Sequence, residues 1–213
     1  MTRVKICGIT SIEDARDAVL LGADAIGLNF YAKSPRAIDA SQAAKIIDSL
    51  PAFVNVVGVF VNHPDPQNLE DFAASLGLHA VQLHGNETPD YCSMIHRVKV
   101  IKTLRVDSNF RVESLRSYGS RVFLLDACST SQYGGTGQVF DWSKAYGANA
   151  FGSIVLAGGL NADNVAEAVA QLHPFAVDVS SGVETSPGKK SYDKMRRFIE
   201  AVRRADVALM ENA

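Results

Sequence analysis

The chain has 213 residues, of which 47% are apolar and 21% are charged, and its formal net charge is −2. Such a composition is typical of a globular protein, and a chain of this length buries about two-thirds of its unfolded surface without a disulfide or metal to hold it together. The near-neutral charge gives no electrostatic footprint for nucleic acid or for an anionic membrane, so an anionic ligand has to be bound by local groups.

The three cysteines, Cys7, Cys92 and Cys128, are far apart in the sequence. There is no Cys-x-x-Cys pair and no Cys/His cluster with zinc spacing, which argues against a disulfide framework and against a structural metal site. The N-terminus lacks the apolar region of a signal peptide, and no apolar run approaches the roughly 18 residues of a membrane span. We therefore expect a soluble, cytoplasmic protein with reduced thiols.

Eight short apolar segments, rich in β-branched residues, recur along the chain. They cover residues 3–9, 23–30, 54–61, 79–85, 99–106, 121–127, 153–160 and 175–182. Most show little alternation of apolar and polar residues, which is typical of parallel strands buried on both faces. The segments between them have apolar residues at helical spacing, and Asp65-Pro66 and Thr88-Pro89 each predict a capped helix start.

The alternation of strands and helices predicts one α/β domain over residues 1–213, with the last residues as a frayed C-terminal extension. Two parallel architectures are compatible with it, a doubly wound sheet and a closed barrel. The glycine-rich dinucleotide fingerprint is absent after the first strand, which weakens the doubly wound alternative. Eight regular units favour a single-domain (βα)8 TIM barrel.

In such a barrel the active site lies at the C-terminal ends of the strands, and two candidate acid–base residues stand there. Cys7 ends the first strand and shares a strand face with Lys5, whose charge would favour a thiolate and which needs an acidic partner in the interior. Alternatively, Cys7 is only a small buried residue. Asp126 ends the sixth strand, where it either caps backbone or, with its pKa raised by burial, acts as a general acid.

The last two strands are followed by loops of small residues. Gly158 and Gly159 follow the seventh strand, and Ser181 and Gly182 follow the eighth. Barrels of this class often bind phosphate with these two loops, because glycine lets backbone N–H groups approach the anion. The alternative is a pair of ordinary glycine turns.

Three further polar residues lie near predicted strand ends. Arg36 is either a solvated charge or, with a guanidinium shaped for a carboxylate, a ligand for one. Asp178 either pairs with Lys5 or touches the substrate. For His84 we favour an interior histidine that is hydrogen-bonded by Gln82 or by backbone over a catalytic one.

The segments "KICGIT", "GLNFYAKSPRAI", "VGVFVN", "VQLHG", "LLDA", "GGTGQVFDW", "LAGGLN" and "DVSSGVE" occur in this order over nearly the whole chain. Together they resemble the phosphoribosylanthranilate isomerase family of tryptophan biosynthesis. The resemblance implies a (βα)8 barrel and an Amadori rearrangement of a small-molecule substrate, phosphoribosylanthranilate, with no cofactor and no metal. It implies neither a nucleic-acid nor a membrane partner, and it leaves a monomer or a homodimer open.

The same resemblance implies roles for the candidate residues. Cys7 is similar to the family's general base and Asp126 to its general acid. Arg36 is similar to the residue that holds the anthranilate carboxylate. Apart from the resemblance, we place Asp178 in the substrate-binding set. The phosphate would be bound by loops that contain Gly158, Gly159, Ser181 and Gly182. Gly135, Thr136 and Gly137 would add a further contact or a lid.

Three rival functions use related barrels. The histidine-pathway isomerase, or a bifunctional isomerase, performs the same rearrangement, but it has an aspartate where this chain has Cys7 and needs a second phosphate site. A metal-dependent epimerase needs clustered histidine and acidic ligands, which the strand ends lack. A non-catalytic phosphate-binding barrel would not require both Cys7 and Asp126.

Overall fold

A computed structural model describes residues 1–127 and 141–211. Eight parallel strands form a closed barrel in which every strand lies beside its neighbours in sequence, and the first strand pairs with the last to close it. The strands are β1 (Arg3–Cys7), β2 (Ala25–Asn29), β3 (Asn55–Phe60), β4 (Ala80–Leu83), β5 (Lys99–Arg105), β6 (Val122–Asp126), β7 (Ser153–Leu156) and β8 (Ala176–Val179). The predicted barrel is confirmed, and the doubly wound alternative is wrong.

The described α-helices cover the outside of the barrel. They are α1 (Ile12–Leu20), α2 (Ala40–Asp48), α3 (Pro66–Ser75), α4 (Pro89–Ser93), α5 (Val165–Leu172) and α6 (Tyr192–Glu211). The two predicted helix starts are confirmed, because the side chains of Asp65 and Thr88 accept hydrogen bonds from backbone N–H groups in the first turns of α3 and α4. None of the helices in the described part of the chain is long and apolar enough to cross a membrane.

Two connections are less regular than eight equal units would suggest. The described chain between β5 and β6 forms only a 3-10 helix, Val112–Ser117. Between β6 and β7 it forms two more, Trp142–Ala145 and Ala148–Ala150. The segment after β5 begins with the turn-forming run Asp107-Ser108-Asn109, which uses much of the connection before a helix can begin. After β8, the short strands β9 (Glu184–Ser186) and β10 (Lys189–Lys190) form an antiparallel hairpin.

The end of the chain is better ordered than the sequence suggests. Helix α6 continues to Glu211, and Ala205 and Asp206 are buried. The Asp206 carboxylate accepts hydrogen bonds from the backbone N–H and hydroxyl of Thr2, at 2.8 and 2.7 Å. The expected frayed end is therefore wrong for residues 205–211, while residues 212–213 lie outside the described range. The assignment of residues 1–213 to one domain remains a prediction.

The barrel interior changes from apolar to polar along the strands. Leu124, on β6, and Ala176, on β8, pack in one apolar cluster inside the barrel. Two residues further along the same strands, and therefore on the same faces, stand Asp126 and Asp178, both buried. The polar groups thus collect at the C-terminal end of the barrel, which is where the site is built.

Candidate active site

A pocket of about 720 Å³, counted with its open mouth, lies at the C-terminal end of the barrel. Of the predicted site residues, its lining includes Cys7, Arg36, Asp126, Gly158, Gly159, Asp178 and Ser181. Its polar lining also includes Asn29, Tyr31, Ser34, Gln82, His84 and Ser180. The structure thus brings together residues that are scattered over most of the sequence.

Cys7 is the last residue of β1, and its thiol is buried beside the ammonium group of Lys5. Both side chains lie over Gly27 of β2, where an added Cβ would stand 2.7 Å from Cys7 Sγ and 3.1 Å from Lys5 Nζ. Burial raises the pKa of the Cys7 thiol above its usual value, and the positive charges of Lys5 and Lys190 oppose this effect without cancelling it. The predicted influence of Lys5 is present, but burial outweighs it.

Lys5 has the acidic partner that the sequence analysis requires. Its Nζ lies 2.7 Å from Asp178 Oδ1, because the two residues are register partners on β1 and β8. Lys5 also donates to Gln82 Oε1 at 2.9 Å. Burial alone would lower the pKa of Lys5, but the charges of Asp178 and Cys7 raise it overall, so the side chain stays an ammonium. The pairing of Asp178 with Lys5 is confirmed, and Asp178 also lines the pocket, while its contact with the substrate stays a prediction.

Asp126 is the last residue of β6 and is buried. Its Oδ2 lies 3.1 Å from His84 Nε2. The other ring nitrogen of His84, Nδ1, lies 2.7 Å from the amide nitrogen of Gln82. The expectation that His84 is an interior histidine contacted by Gln82 is confirmed. A continuous series of polar contacts therefore joins Lys5, beside the thiol, to the carboxyl of Asp126.

The Arg36 side chain is only 12% exposed, so the alternative of a solvated charge is wrong. Its guanidinium is bidentate on Glu184, with Nε and Nη2 at 2.8 and 2.6 Å from the two carboxylate oxygens. Lys190 also contacts Glu184 at 2.8 Å and donates to the carbonyl of Cys7 at 2.5 Å. Burial would raise the pKa of Glu184, but hydrogen bonds and charge from Arg36 and Lys190 lower it.

Gly8, directly after Cys7, makes room for the Arg36 side chain. Its φ is +74°, in the left-handed region that favours glycine, and an added Cβ would stand 2.5 Å from Arg36 Cδ. Sequence reasoning missed Glu184 and Lys190. Lys190 precedes α6 in a polar stretch, and Glu184 is separated from Arg36 by 148 positions, so no local spacing connects them.

The loops after β7 and β8 pack against each other at the rim of the pocket. Gly158 has φ +83°, and an added Cβ would collide with the backbone nitrogen of Ala127. An added Cβ at Gly182 would collide with the carbonyl of Leu160, so Gly182 serves the contact between the two loops. Gly158, Gly159 and Ser181 face the pocket itself. The predicted contributors Gly135, Thr136 and Gly137 lie outside the described residues.

The chemistry available in the pocket is that of acids, bases and anion ligands. It offers a thiol at Cys7, a carboxyl at Asp126 and a cation at Arg36, and Lys5 lies behind the lining in contact with Asp178. Within residues 1–127 and 141–211, no group of three or more His, Cys, Asp or Glu side chains is arranged to hold a metal ion.

Comparison with known proteins agrees with this geometry. Residues 4–201 match the family model described as N-(5'-phosphoribosyl)anthranilate (PRA) isomerase. A curated protein of that name from Citrifermentans bemidjiense is 53% identical over 199 residues, which cover 93% of this chain and 96% of the relative.

Two similar solved structures carry the same family name. One is a PRA isomerase in complex with reduced 1-(o-carboxyphenylamino)-1-deoxyribulose 5-phosphate, with 42% identity, a TM-score of 0.83 and coverage of 96% of this chain and 100% of that one. The other shows monomers generated from the dimeric enzyme of Thermotoga maritima, with 42% identity, a TM-score of 0.84 and the same coverage. The resemblance drawn from the motifs is confirmed, and the chain belongs to the N-(5'-phosphoribosyl)anthranilate isomerase family.

Proposed function

We propose that this chain catalyses the Amadori rearrangement of N-(5'-phosphoribosyl)anthranilate to 1-(2-carboxyphenylamino)-1-deoxyribulose 5-phosphate in tryptophan biosynthesis, with Asp126 as general acid and Cys7 as general base. Family membership supports the reaction. The observation that carries the assignment of residues is that one pocket holds both a thiol from the end of β1 and a carboxyl from the end of β6.

In the first step, the carboxylic acid of Asp126 donates its proton to the ring oxygen of the ribose. The bond between that oxygen and C1' breaks, and the nitrogen lone pair forms an iminium at C1'. The cation acidifies the hydrogen on C2', and the Cys7 thiolate removes it as a proton. The C–H electrons form the C1'–C2' double bond, and the nitrogen regains its lone pair.

The product of these two steps is an enolamine. Addition of a proton at C1' and loss of the proton from the C2' hydroxyl convert it to the ketone. No electrons enter or leave, so the reaction is an internal redox exchange between C1' and C2'. The acid must begin protonated and the base deprotonated, and their positions on different strands give each its own environment.

Substrate binding is divided between two parts of the pocket rim. We assign the anthranilate carboxylate to Arg36, whose guanidinium is already oriented by its two bonds to Glu184. We assign the phosphate to the loops that contain Gly158, Gly159 and Ser181, with Gly182 keeping the two loops in contact. Asp178, which pairs with Lys5, stays in the proposed substrate-binding set. Gly135, Thr136 and Gly137 stay in the proposed binding set on the resemblance alone.

Three further expectations concern the location, the partners and the assembly of the protein. We infer that the protein works in the cytoplasm on this small molecule and with neither nucleic acid nor membrane as a partner. Its assembly is either a monomer or a homodimer. Because the relative from Thermotoga maritima is described as dimeric, sedimentation analysis should test for a homodimer.

The test is steady-state turnover of phosphoribosylanthranilate, followed by the loss of anthranilate fluorescence. Cys7→Ala and Asp126→Asn should each lower kcat by about 10²- to 10⁴-fold, the usual contribution of one positioned acid or base. Cys92→Ala is the matched control, because Cys92 is also a buried cysteine but lies in α4, outside the pocket. It should keep the wild-type kcat.

Binding of the reduced product analogue should survive in all three variants, which separates lost chemistry from lost folding. If Cys7→Ala kept a near-normal kcat, Cys7 could not be the base. Analogue binding without any turnover by the wild type would favour a non-catalytic phosphate-binding barrel. Turnover of the histidine-pathway substrate, which carries no anthranilate group and needs an assay of its own, would favour the bifunctional alternative.

A further inference from the structure

Four side chains form a hydrogen-bonded series across the pocket floor. Lys5 Nζ contacts Gln82 Oε1 at 2.9 Å, Gln82 Nε2 contacts His84 Nδ1 at 2.7 Å, and His84 Nε2 contacts Asp126 Oδ2 at 3.1 Å. Lys5 and Gln82 are almost completely buried, and His84 is 13% exposed. The series joins the cation beside the thiol to the carboxyl at the end of β6.

The direction of every hydrogen bond in this series follows from Lys5. An ammonium group can only donate, so the oxygen of the Gln82 amide has to face Lys5 and its NH₂ group has to face His84. The NH₂ group donates, so His84 Nδ1 has to accept and carries no proton. In the neutral ring the hydrogen is then on Nε2, which donates to Asp126 Oδ2.

The tautomer matters because an imidazole generally binds a proton more tightly than a carboxylate does. A histidine with its lone pair on Nε2 would take the proton from the neighbouring carboxylic acid and leave an ion pair. With a hydrogen already on Nε2 and Nδ1 occupied by the Gln82 NH₂ group, His84 cannot accept that proton. A proton on Asp126 is then held at Oδ1, because Oδ2 faces the Nε2–H group of His84.

We propose that Gln82 is a positioning residue that holds His84 in the Nε2–H tautomer and so keeps Asp126 able to act as the general acid. The proposal rests on the proposed function for its catalytic consequence, but the tautomer itself does not depend on it.

The other groups around the ring are compatible with this assignment. The hydroxyl of Thr103 on β5 lies 3.4 Å from His84 Nδ1 and can donate to it as well. Arg105, also on β5, is the register partner of Asp126 and brings a cation to the same strand end. Asp178 faces Lys5 from β8 and keeps the ammonium charged.

The test is Gln82→Glu, a nearly isosteric change that replaces the NH₂ donor facing His84 with an acceptor. A carboxylate at this position accepts from Lys5 and also from His84 Nδ1–H. The Nε2 position then either carries the lone pair or, in the imidazolium, holds a proton taken from Asp126. We expect kcat to fall about 100-fold or more, the scale of one lost general acid, while KM changes little.

Imidazole ¹⁵N NMR reads the tautomer directly, in protein without substrate and at mildly alkaline pH. The wild type should show a protonated Nε2 and an unprotonated Nδ1 at His84, and Gln82→Glu should show a protonated Nδ1. His79 is the internal reference, because its Nδ1 accepts from the backbone N–H of Val56 at 3.0 Å. None of the four side chains of the series is its hydrogen-bond partner.

Gln82→Met is the second variant. It removes the NH₂ group without supplying an acceptor, so His84 should populate both tautomers and kcat should lie between those of the wild type and Gln82→Glu. If Gln82→Glu does not fold, Gln82→Met alone tests the proposal. A wild-type His84 with a protonated Nδ1 would overturn the proposal, and so would an inverted tautomer with an unchanged kcat. Since the spectrum needs no substrate, failure of the isomerase assay is distinguishable from failure of the tautomer assignment.

Discussion

Two buried ion pairs of the same chemistry lie in different parts of the molecule. Lys5–Asp178, at 2.7 Å, lies inside the barrel, and its carboxylate partner lines the pocket. Lys102–Glu87, at 2.5 Å, is even more deeply buried, with both side chains 2% exposed. Thr103, next to Lys102, contacts His84 inside the barrel, so alternation along β5 turns Lys102 toward the outer layer.

The partners of the two pairs differ. Lys102 also donates to the carbonyls of Leu83 and Gly85, and Glu87 accepts from the backbone N–H groups of Asn62 and Gly85. This pair therefore links β5 to the segments that follow β3 and β4. Lys5 has side-chain partners instead, and it lies beside a thiol. We therefore expect the pair held by backbone groups to serve the fold and the pair held by side chains beside the pocket to serve the chemistry.

The largest effect on stability should come from Lys102→Met. The change leaves the Glu87 carboxylate buried without its charge partner, which should lower the free energy of unfolding by about 3–5 kcal/mol. Urea denaturation measures it. Lys99→Met, an exposed position on the same strand, is the matched control and should change stability little. A loss of only about 1 kcal/mol, the value of an exposed pair, would show that Lys102 does not hold the fold.

Lys5→Met should act on the chemistry more than on the fold. If Cys7 is the general base, as proposed, activity needs its thiolate, whose share rises with pH, and burial already raises the pKa of the thiol. Removal of the positive charge raises that pKa further, because Lys5 lowers it. The ascending limb of kcat/KM against pH should move to higher pH, by about one to three units for the loss of a close charge.

The comparison with Lys102→Met makes this test specific. That variant should lose stability without moving the ascending limb, whereas Lys5→Met should move it even in protein that is fully folded at the assay temperature. If the limb stayed in place in Lys5→Met, Lys5 would not control the protonation of Cys7, and the Lys5–Asp178 pair would belong with the structural pairs.

The pattern of the sequence predicted the barrel, because parallel strands buried on both faces leave a clear local signature. Alternation along β1 also predicted that Lys5 and Cys7 share a face and that Lys5 needs an acidic partner, and the contact between His84 and Gln82 follows from the same two-residue period. These predictions succeeded because they depend on one strand at a time.

The contacts between distant segments could not be predicted in the same way. Glu184 meets Arg36 across 148 positions, and Lys190 reaches the carbonyl of Cys7 across 183. Such contacts depend on how the hairpin after β8 folds over the barrel mouth, and no residue spacing records that. The roles of the site residues in catalysis likewise remain predictions until the variants are assayed.

Arg36–Glu184 is a third pair, and it sharpens the comparison because it has features of both others. It is well buried and bidentate, yet Arg36 lines the pocket. Arg36→Ala should raise KM about ten- to a hundredfold, the worth of hydrogen bonds to a charged group, with kcat little changed. Lys33→Ala, an exposed cation in the same loop, is the matched control and should leave KM unchanged.

Glu184→Gln separates the two functions of this pair. It keeps Arg36 but removes the charge that orients the guanidinium, so KM should rise by less than in Arg36→Ala. An unchanged KM in Arg36→Ala, together with a loss of stability, would place this pair with Lys102–Glu87 as a tie of the fold. A raised KM in both variants would instead mean that Glu184 serves the substrate through Arg36, and that burial of an ion pair near a pocket is not by itself a sign of a structural role.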